Sequence, residues 1–337
     1  MLGKIAAPLA ALAFLSMPTL GRAQTEFYKG KTLTIYIGYG VGGGYDVYGR
    51  IVARFIGKHI PGNPAVVVSN MEGAGSLRLA NWLAEVAPKD GTAIGVITRG
   101  AAFDPLFGRT GLSFRGTDFA WVGSANNDVS VCVSWKTSAV KTFSDLMTKE
   151  LIVGTTGAAD DSEQFPKVIN STLGTKFKFV GGYRGANEAL LAMERGEVEG
   201  RCGWSWSSVL TTRPEWVKNK TVNVLLQTAL EKHPSIPDVP LVIDMAQNDE
   251  QRQILKLVLA RQTMGRPFLA PPATDPKRLA ELRKAFMDTM SDPEFLAAAA
   301  KENVEISAIS GERVQDLVKE IYATPELIVN KAAAMLQ

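Results

Sequence analysis

The residues best suited to hold a charged ligand form a glycine cluster near the start of the chain. Gly38, Gly40 and residues 42–44 follow an apolar, β-branched run, and apolar residues at helical spacing begin directly after them. Where a strand leads through a glycine loop into a helix, backbone N–H groups face outward at the positive end of the helix dipole. Glycines also let a ligand approach the backbone closely. We therefore expect this loop to bind the carboxylate of a small organic acid, with Asp46 as the N-cap of the helix.

The same glycines formally match the dinucleotide-binding fingerprint Gly-x-Gly-x-x-Gly, at Gly38, Gly40 and Gly43. That fingerprint requires an acidic residue at the end of the second strand, where it binds a ribose hydroxyl. Here the second predicted strand ends at Val68 and is followed by Ser69. We therefore expect no nicotinamide cofactor, and the sequence gives no indication of another cofactor.

Side chains for metal or covalent chemistry are few. His59 and His233 are the only histidines, and the sequence contains no Gly-x-Ser-x-Gly motif. The acidic pair Asp160 and Asp161 could act in acid–base catalysis, but charges at this place are more typical of a helix N-terminus. We therefore expect neither a metal site nor catalytic residues, and we predict that the protein is not an enzyme. An exported enzyme that uses Asp46, Asp160 or Asp161 as acid or base is the competing hypothesis.

Aromatic and basic residues offer further ligand contacts in the second half of the chain. Trp204 and Trp206 alternate after a predicted strand, which would point both rings to one side. They would either form an aromatic wall for a ligand or pack in the core beneath it. Arg184, which lies between Tyr183 and Gly185, could pair with a second carboxylate or be a solvated surface arginine. The sequence leaves both alternatives open.

The N-terminus predicts export. Residues 1–23 combine the basic Lys4, a short apolar stretch and a small-residue cleavage pattern before Gln24, as signal peptides do. Their removal leaves 35 basic and 34 acidic residues, so a net charge of about +1 argues against a nucleic-acid partner. In an oxidising compartment Cys132 and Cys202 could form one disulfide, or they could remain two buried thiols. We expect a soluble, periplasmic mature protein.

The elements that must position these residues alternate between strand and helix. Predicted strands at residues 33–37, 65–68 and 94–97 are separated by helical patterns, which indicates a parallel sheet with helices on its faces. A second α/β unit spans about 125–227 and has polar loops that begin its helices. Beyond a proline-containing loop, the patterns predict a strand at 267–270 and helices at 251–261, 276–290, 293–302 and 311–322.

A helix-rich tail after the second unit suggests that the chain returns to the first one. Two crossings between lobes create a hinge and a cleft. We predict an α/β fold with two lobes, in which each lobe is a mostly parallel sheet flanked by helices. One lobe would comprise residues 24–125 and 228–337, and the other residues 126–227.

With these residues identified, the chain resembles the substrate-binding proteins of tripartite tricarboxylate transporters, the Bug-type family. The resemblance covers nearly the whole mature chain and depends on the order and spacing of several segments. These are Gly42-Gly43-Gly44-Tyr45-Asp46, Glu72-Gly73-Ala74-Gly75-Ser76, Ala87-Pro88-Lys89-Asp90-Gly91-Thr92, Tyr183-Arg184-Gly185, Gly196-Glu197-Val198-Glu199-Gly200, Ile236-Pro237-Asp238-Val239-Pro240 and Asp292-Pro293-Glu294-Phe295.

The resemblance implies a monomeric, periplasmic-binding-protein (flytrap) fold that captures a small carboxylate, a di- or tricarboxylate or an aromatic acid. The ligand would be delivered to membrane permease subunits. A sensory subunit that uses the same cleft and passes a ligand signal to a membrane kinase is a further hypothesis. The residues around Gly157 depart from the family pattern, and the tryptophan-rich segment suggests a ligand unlike citrate. The expected ligand-binding residues are Tyr39, Val41, Gly42, Gly43, Gly44, Asp46, Thr155, Thr156, Gly157, Ala158, Asp160, Tyr183, Arg184, Gly185 and Trp204.

Overall fold

The computed structural model describes Gly3 and residues 26–336. The predicted signal peptide at residues 1–23 lies outside the described residues, apart from Gly3. In the described part of the chain, no helix is both long enough and apolar enough to cross a membrane.

The strands agree closely with the apolar runs of the sequence. They are β1 (Thr32–Ile37), β2 (Ala65–Asn70), β3 (Ala93–Val96), β4 (Ala120–Ser124), β5 (Ser130–Trp135), β6 (Leu151–Gly154), β7 (Phe177–Val180), β8 (Gly200–Ser205), β9 (Val222–Thr228), β10 (Pro267–Ala270) and β11 (Ile309–Ser310). In β1, Leu33, Ile35 and Ile37 are fully buried, while Tyr36 on the other face packs against Trp82 at a ring distance of 4.4 Å. Both faces of the strand are therefore covered, as in a helix-flanked sheet.

Helices follow most strands. They are α1 (Gly44–Ile56), α2 (Leu77–Glu85), α3 (Asp161–Leu173), α4 (Ala186–Glu194), α5 (Trp206–Thr212), α6 (Pro214–Lys218), α7 (Asp249–Leu259), α8 (Pro276–Met290), α9 (Pro293–Lys301), α10 (Gly311–Tyr322) and α11 (Glu326–Leu336). Asp275 and Asp292 accept hydrogen bonds from first-turn amides of α8 and α9, each with proline at the first helical position. These local signals explain why both helices begin where the sequence predicts.

Two sheets organise the chain. The first sheet has the strand order β11-β4-β10-β3-β1-β2, and the second has the order β7-β6-β8-β5-β9. The two-lobed α/β class is confirmed, but the sheets are mixed rather than mostly parallel. The strands β10 and β11 pair antiparallel in the first sheet, and β5 pairs antiparallel with both its neighbours in the second. In each sheet, the strands that run against the others are those that the chain forms directly after crossing from the other sheet, which are β10 and β11 in the first sheet and β5 in the second.

The chain passes from the first sheet to the second between β4 and β5, and it returns between β9 and β10. The last helix, α11, packs against α7 and against α3, which lies on the second sheet. Elements that follow β9 therefore contact both sheets. The proposed division into residues 24–125 with 228–337 and residues 126–227 stays a prediction.

Candidate functional site

A cavity of about 40 Å³ lies where loops of the two sheets meet. Its walls come from the loop after β1, the start of α1, the loop after β3, the start of α3, the start of α4, β8, the start of α5 and the residue before β10. The lining residues are Tyr39, Gly43, Gly44, Tyr45, Arg99, Asp160, Asp161, Ala186, Arg201, Gly203, Trp204, Ser205, Ser208 and Arg266. Of the residues expected from the sequence, Tyr39, Gly43, Gly44, Asp160 and Trp204 therefore lie together.

Backbone segments of the two sheets are in close contact on either side of this cavity. A Cβ placed on Gly157, which has φ +143°, would lie 2.9 Å from the backbone nitrogen of Gly75. On the other side, a Cβ on Gly185 would lie 3.5 Å from the backbone nitrogen of Gly40. Such close approach is possible because these positions carry no side chain. The structure is therefore that of a closed, two-lobed molecule.

Asp46 is not the N-cap of α1, so this prediction was wrong. The N-cap is Gly43, and Asp46 is the third residue of the helix. Its carboxylate reaches back to the amide of Gly42 at 3.0 Å and also accepts from Arg50 and Asn70. Burial opposes ionisation, but hydrogen bonds from Arg50, Asn70 and Gly42 outweigh it and lower the pKa of Asp46. The side chain therefore shapes the glycine loop from outside the cavity.

Two buried arginines are anchored at the cavity by aspartates. Arg99 Nε donates to Asp161 Oδ2 at 2.6 Å, and its Nη2 donates to Ser130 at 2.7 Å. Arg266 Nη2 lies 3.2 Å from Asp128 Oδ2. Burial raises the pKa of Asp128, but the charges of Arg266 and Arg99 outweigh it and lower the pKa below its usual value. These ion pairs fix both guanidinium groups in the cavity wall.

Unlike Arg99 and Arg266, Arg201 has no aspartate partner in the described part of the chain. It is 4% exposed, yet within residues 26–336 neither its Nε nor its Nη1 has a hydrogen-bond partner, and no carboxylate forms an ion pair with it. Burial lowers the pKa of Arg201, although the charge of Asp160 partly offsets this effect. A buried guanidinium without an anion is costly. The geometry is thus suited to receiving a negatively charged group.

Asp160, Tyr39 and Tyr45 also line the cavity. The hydroxyl of Tyr39 donates to Asp160 Oδ2, and the ring of Tyr39 stacks on Tyr45 with centroids 4.8 Å apart. Burial and the charge of Asp160 raise the pKa of Tyr39, so it remains a neutral donor at ordinary pH. Asp160 Oδ1 accepts from the amide of Ser162 as the N-cap of α3. The interpretation of Asp160 as a helix-capping charge is therefore confirmed, and it also lines the cavity.

Trp204 and Trp206 have different surroundings, because β8 ends at Ser205 and Trp206 begins α5. Trp204 lines the cavity and packs against Trp216 with centroids 5.9 Å apart. The indole of Trp206 is fully buried and donates to Ser235 at 2.8 Å. Trp204 therefore both lines the ligand cavity and packs in the core, whereas Trp206 packs in the core.

The other expected residues lie outside the cavity. Val41 is 66% exposed at the tip of the glycine loop. Thr155 is buried and bonds to Glu163. The side chain of Arg184 is 70% exposed and pairs with Glu188. The remaining ones are Gly42, Asp46, Thr156, Gly157, Ala158, Tyr183 and Gly185. Their part in ligand binding stays a prediction.

Cys132 in β5 and Cys202 in β8 form a disulfide, which resolves the alternative that the sequence left open. The bridge joins neighbouring antiparallel strands and places a crosslink directly beside Arg201 in the chain. Across residues 26–336, no group of three or more His, Cys, Asp or Glu side chains is placed to hold a metal ion.

The sequence analysis missed the arginines. Arg99 carried a usable signal, because it follows β3 at the carboxyl end of a predicted parallel strand, where ligands bind in α/β sheets. Arg201 and Arg266 carried none, since one lies inside an apolar strand and the other before β10. Only their burial in the folded chain distinguishes them from surface arginines.

The comparison with known protein families identifies the chain. Residues 50–333 match the family described as the tripartite tricarboxylate transporter family receptor, TctC. The chain belongs to this family. The resemblance inferred from the glycine loops and the later motifs is therefore confirmed.

Two curated relatives are also similar to this TctC-family chain. The UPF0065 protein in the gbd 5′ region of Cupriavidus necator is 24% identical, over 97% of this chain and 94% of its own length. The UPF0065 protein in the tcbD–tcbE intergenic region of Pseudomonas sp. (strain P51) is 25% identical, over 71% of this chain and 70% of its own length.

Solved structures share the fold. MatC from Rhodopseudomonas palustris with bound malate covers 89% of this chain and 99% of its own, with a TM-score of 0.71 and 20% identity. The periplasmic binding protein BugD covers 90% and 98%, with a TM-score of 0.73 and 17% identity. R. palustris Rpa4515 with adipate covers 90% and 97%, with a TM-score of 0.68 and 16% identity. These likenesses establish a two-lobed periplasmic-binding-protein fold.

Proposed function

We propose that this protein is a periplasmic binding protein that captures a small organic carboxylate in the cavity between its lobes. The bound form would deliver the acid to the membrane permease subunits of a tripartite transporter. Family membership supports this proposal, and so do the malate and adipate bound to proteins of the same fold.

The observation that carries the proposal is the buried guanidinium of Arg201, whose Nε and Nη1 have no acceptor among the described residues. A ligand carboxylate can accept a charge-assisted hydrogen bond from either donor, and because Nε–H and Nη1–H point in different directions they would receive separate oxygen atoms. Hydrogen bonds to charged groups contribute about 1.5–3 kcal/mol each, so an acid that bonds to Arg201 only in the closed form would stabilise that form. The backbone amides near Gly43 would add to this anion site as the sequence suggested.

The arrangement supports binding rather than catalysis. Asp160 and Asp161, the acids that an enzyme would need, are engaged as a helix cap and as the partner of Arg99 and Arg261. We therefore propose that the ligand leaves unchanged. A ligand-sensing subunit would use the same cavity, and capture of the membrane partner distinguishes it from a transport receptor.

The test is a thermal-shift and calorimetric screen of the purified protein with carboxylic acids and with uncharged sugars. A ligand that binds only the folded state must raise the melting temperature, so acids should stabilise the protein and sugars should not. Nuclear magnetic resonance of the ligand after incubation should show no turnover. Saturable binding of an uncharged molecule, with no acid bound, would refute the proposal.

A further inference from the structure

The charges buried around the cavity leave one net positive charge. Arg99 and Arg261 share Asp161, at 2.6 and 3.5 Å, and Arg266 pairs with Asp128 at 3.2 Å. The nearby Asp104 is balanced separately by Arg109 at 3.4 Å. The cluster itself comprises the buried arginines Arg99, Arg201, Arg261 and Arg266 and the buried aspartates Asp128, Asp160 and Asp161.

Some buried polar atoms of the side chains that line the cavity have no hydrogen-bond partner among the described residues, and all of these atoms are N–H donors. In the described part of the chain, Nε and Nη1 of Arg201, Nη1 of Arg99, Nε of Arg266 and Nε1 of Trp204 are all buried and lack an acceptor. By contrast, both oxygens of Asp160 accept hydrogen bonds, from Tyr39 and from a backbone amide. The cavity therefore offers more N–H donors than the two oxygens of one carboxylate, while the cluster carries one uncompensated positive charge.

We propose that the cavity selects a short monocarboxylate with a neutral second oxygen acceptor, such as a 2-oxo acid, and discriminates against dicarboxylates. This inference rests on the proposed function. One carboxylate neutralises the cluster through Arg201, whereas a second one would lie beside Asp160 and Asp161 without a cation of its own. Like charges in an enclosed site are strongly unfavourable. A keto oxygen can accept from the remaining N–H groups without adding charge.

The cavity size points the same way. The cavity of about 40 Å³ is small, because one water molecule needs about 10–15 Å³ on the same measure, and it therefore favours a ligand of a few heavy atoms. Selection of a monoanion would separate this protein from the relatives of known structure, whose bound malate and adipate each carry two carboxylates.

The experiment is calorimetry at pH 7.5 with two matched ligand pairs. Succinate and its monoamide succinamate have nearly the same shape and differ in charge, and succinamate should bind at least about tenfold more tightly. Pyruvate and propionate differ in the keto oxygen, and pyruvate should bind more tightly. Asp160→Asn removes one negative charge and should shift the succinamate-to-succinate ratio about tenfold towards succinate. Asp238→Asn, the same exchange in an exposed loop, should leave the ratio unchanged.

The outcomes separate this inference from the proposed function. Succinate binding as tightly as succinamate, or adipate binding while neither short acid binds, overturns the charge selection but leaves carboxylate binding intact. Propionate binding as tightly as pyruvate overturns the requirement for a second acceptor. Binding of an uncharged molecule alone refutes both proposals. If Asp160→Asn does not fold, the ratio of succinamate to succinate affinity in the unaltered protein decides whether the cavity selects against a second charge.

Discussion

Replacing Arg201 by methionine should have opposite effects on ligand affinity and on the stability of the ligand-free protein. The guanidinium is buried, and within the described chain its Nε and Nη1 have no acceptor. Burial disfavours its charged form more than the charge of Asp160 favours it. Methionine retains much of the side-chain volume and removes the charge.

The expected loss of ligand affinity follows from the two unpartnered donors of Arg201. Each hydrogen bond from the guanidinium to a ligand oxygen contributes about 1.5–3 kcal/mol, so losing two should cost about 3–6 kcal/mol, or roughly 10² to 10⁴ in affinity. Without ligand, exchanging an unpaired buried charge for an apolar side chain should stabilise the fold by about 1–3 kcal/mol. Arg201→Met should therefore unfold at higher urea concentration while binding the acid poorly.

Calorimetry and urea unfolding of the same preparation measure both effects. Arg195→Met is the matched control, because Arg195 is 67% exposed and pairs with the surface residue Glu197 at 3.6 Å. Surface ion pairs contribute little, so this variant should match the original protein in both measurements. If Arg201→Met loses affinity and stability together, Arg201 is a structural residue and the argument from its missing partner is refuted.

Three further predictions concern residues around the site. Burial raises the pKa of Asp104 to about 6, so between pH 4 and 6 the folded state binds a proton that the unfolded state has already released. The contribution of Asp104 to stability should therefore fall by about 3 kcal/mol as the pH rises through this range. Asp104→Asn should lack that fall in urea titrations at several pH values, and an identical pH profile would contradict the assignment. The disulfide between Cys132 and Cys202 closes a loop of 70 residues, so replacing both by alanine should lower the free energy of unfolding by roughly 4 kcal/mol. An unchanged free energy of unfolding would argue against the bridge. Asp46→Ala should lower ligand affinity by about 1 kcal/mol in calorimetry, because the Gly42 amide and Asn70 lose their acceptor; unchanged affinity would remove Asp46 from the binding loop.

Much of the fold could be predicted because local signals agreed with each other. The helices predicted at 276–290 and 311–322 and the strand at 267–270 have the bounds of α8, α10 and β10. In each helix, apolar periodicity and a start signal at the N-cap coincide. The last helix, α11, was not predicted, because its alanine-rich sequence has weak periodicity and its place depends on packing against α3 and α7.

The candidate site was harder to predict than the fold. The glycine loop was recognisable because Gly43 and Gly44 lie between a strand and a helix. The arginines were not, since a side chain such as Arg266 becomes a site residue only through Asp128 and Ser208, which lie 138 and 58 positions away in the chain. Long-range pairing of this kind leaves no pattern in a single sequence.

The account depends on a carboxylate meeting Arg201 in the closed cavity. A crystal structure with the tightest-binding acid tests this directly. We expect an oxygen of the ligand carboxylate within about 3 Å of Nε or Nη1 of Arg201. An uncharged ligand in the cavity, or a carboxylate bound elsewhere while Arg201 pairs with an acid of the protein, would contradict it.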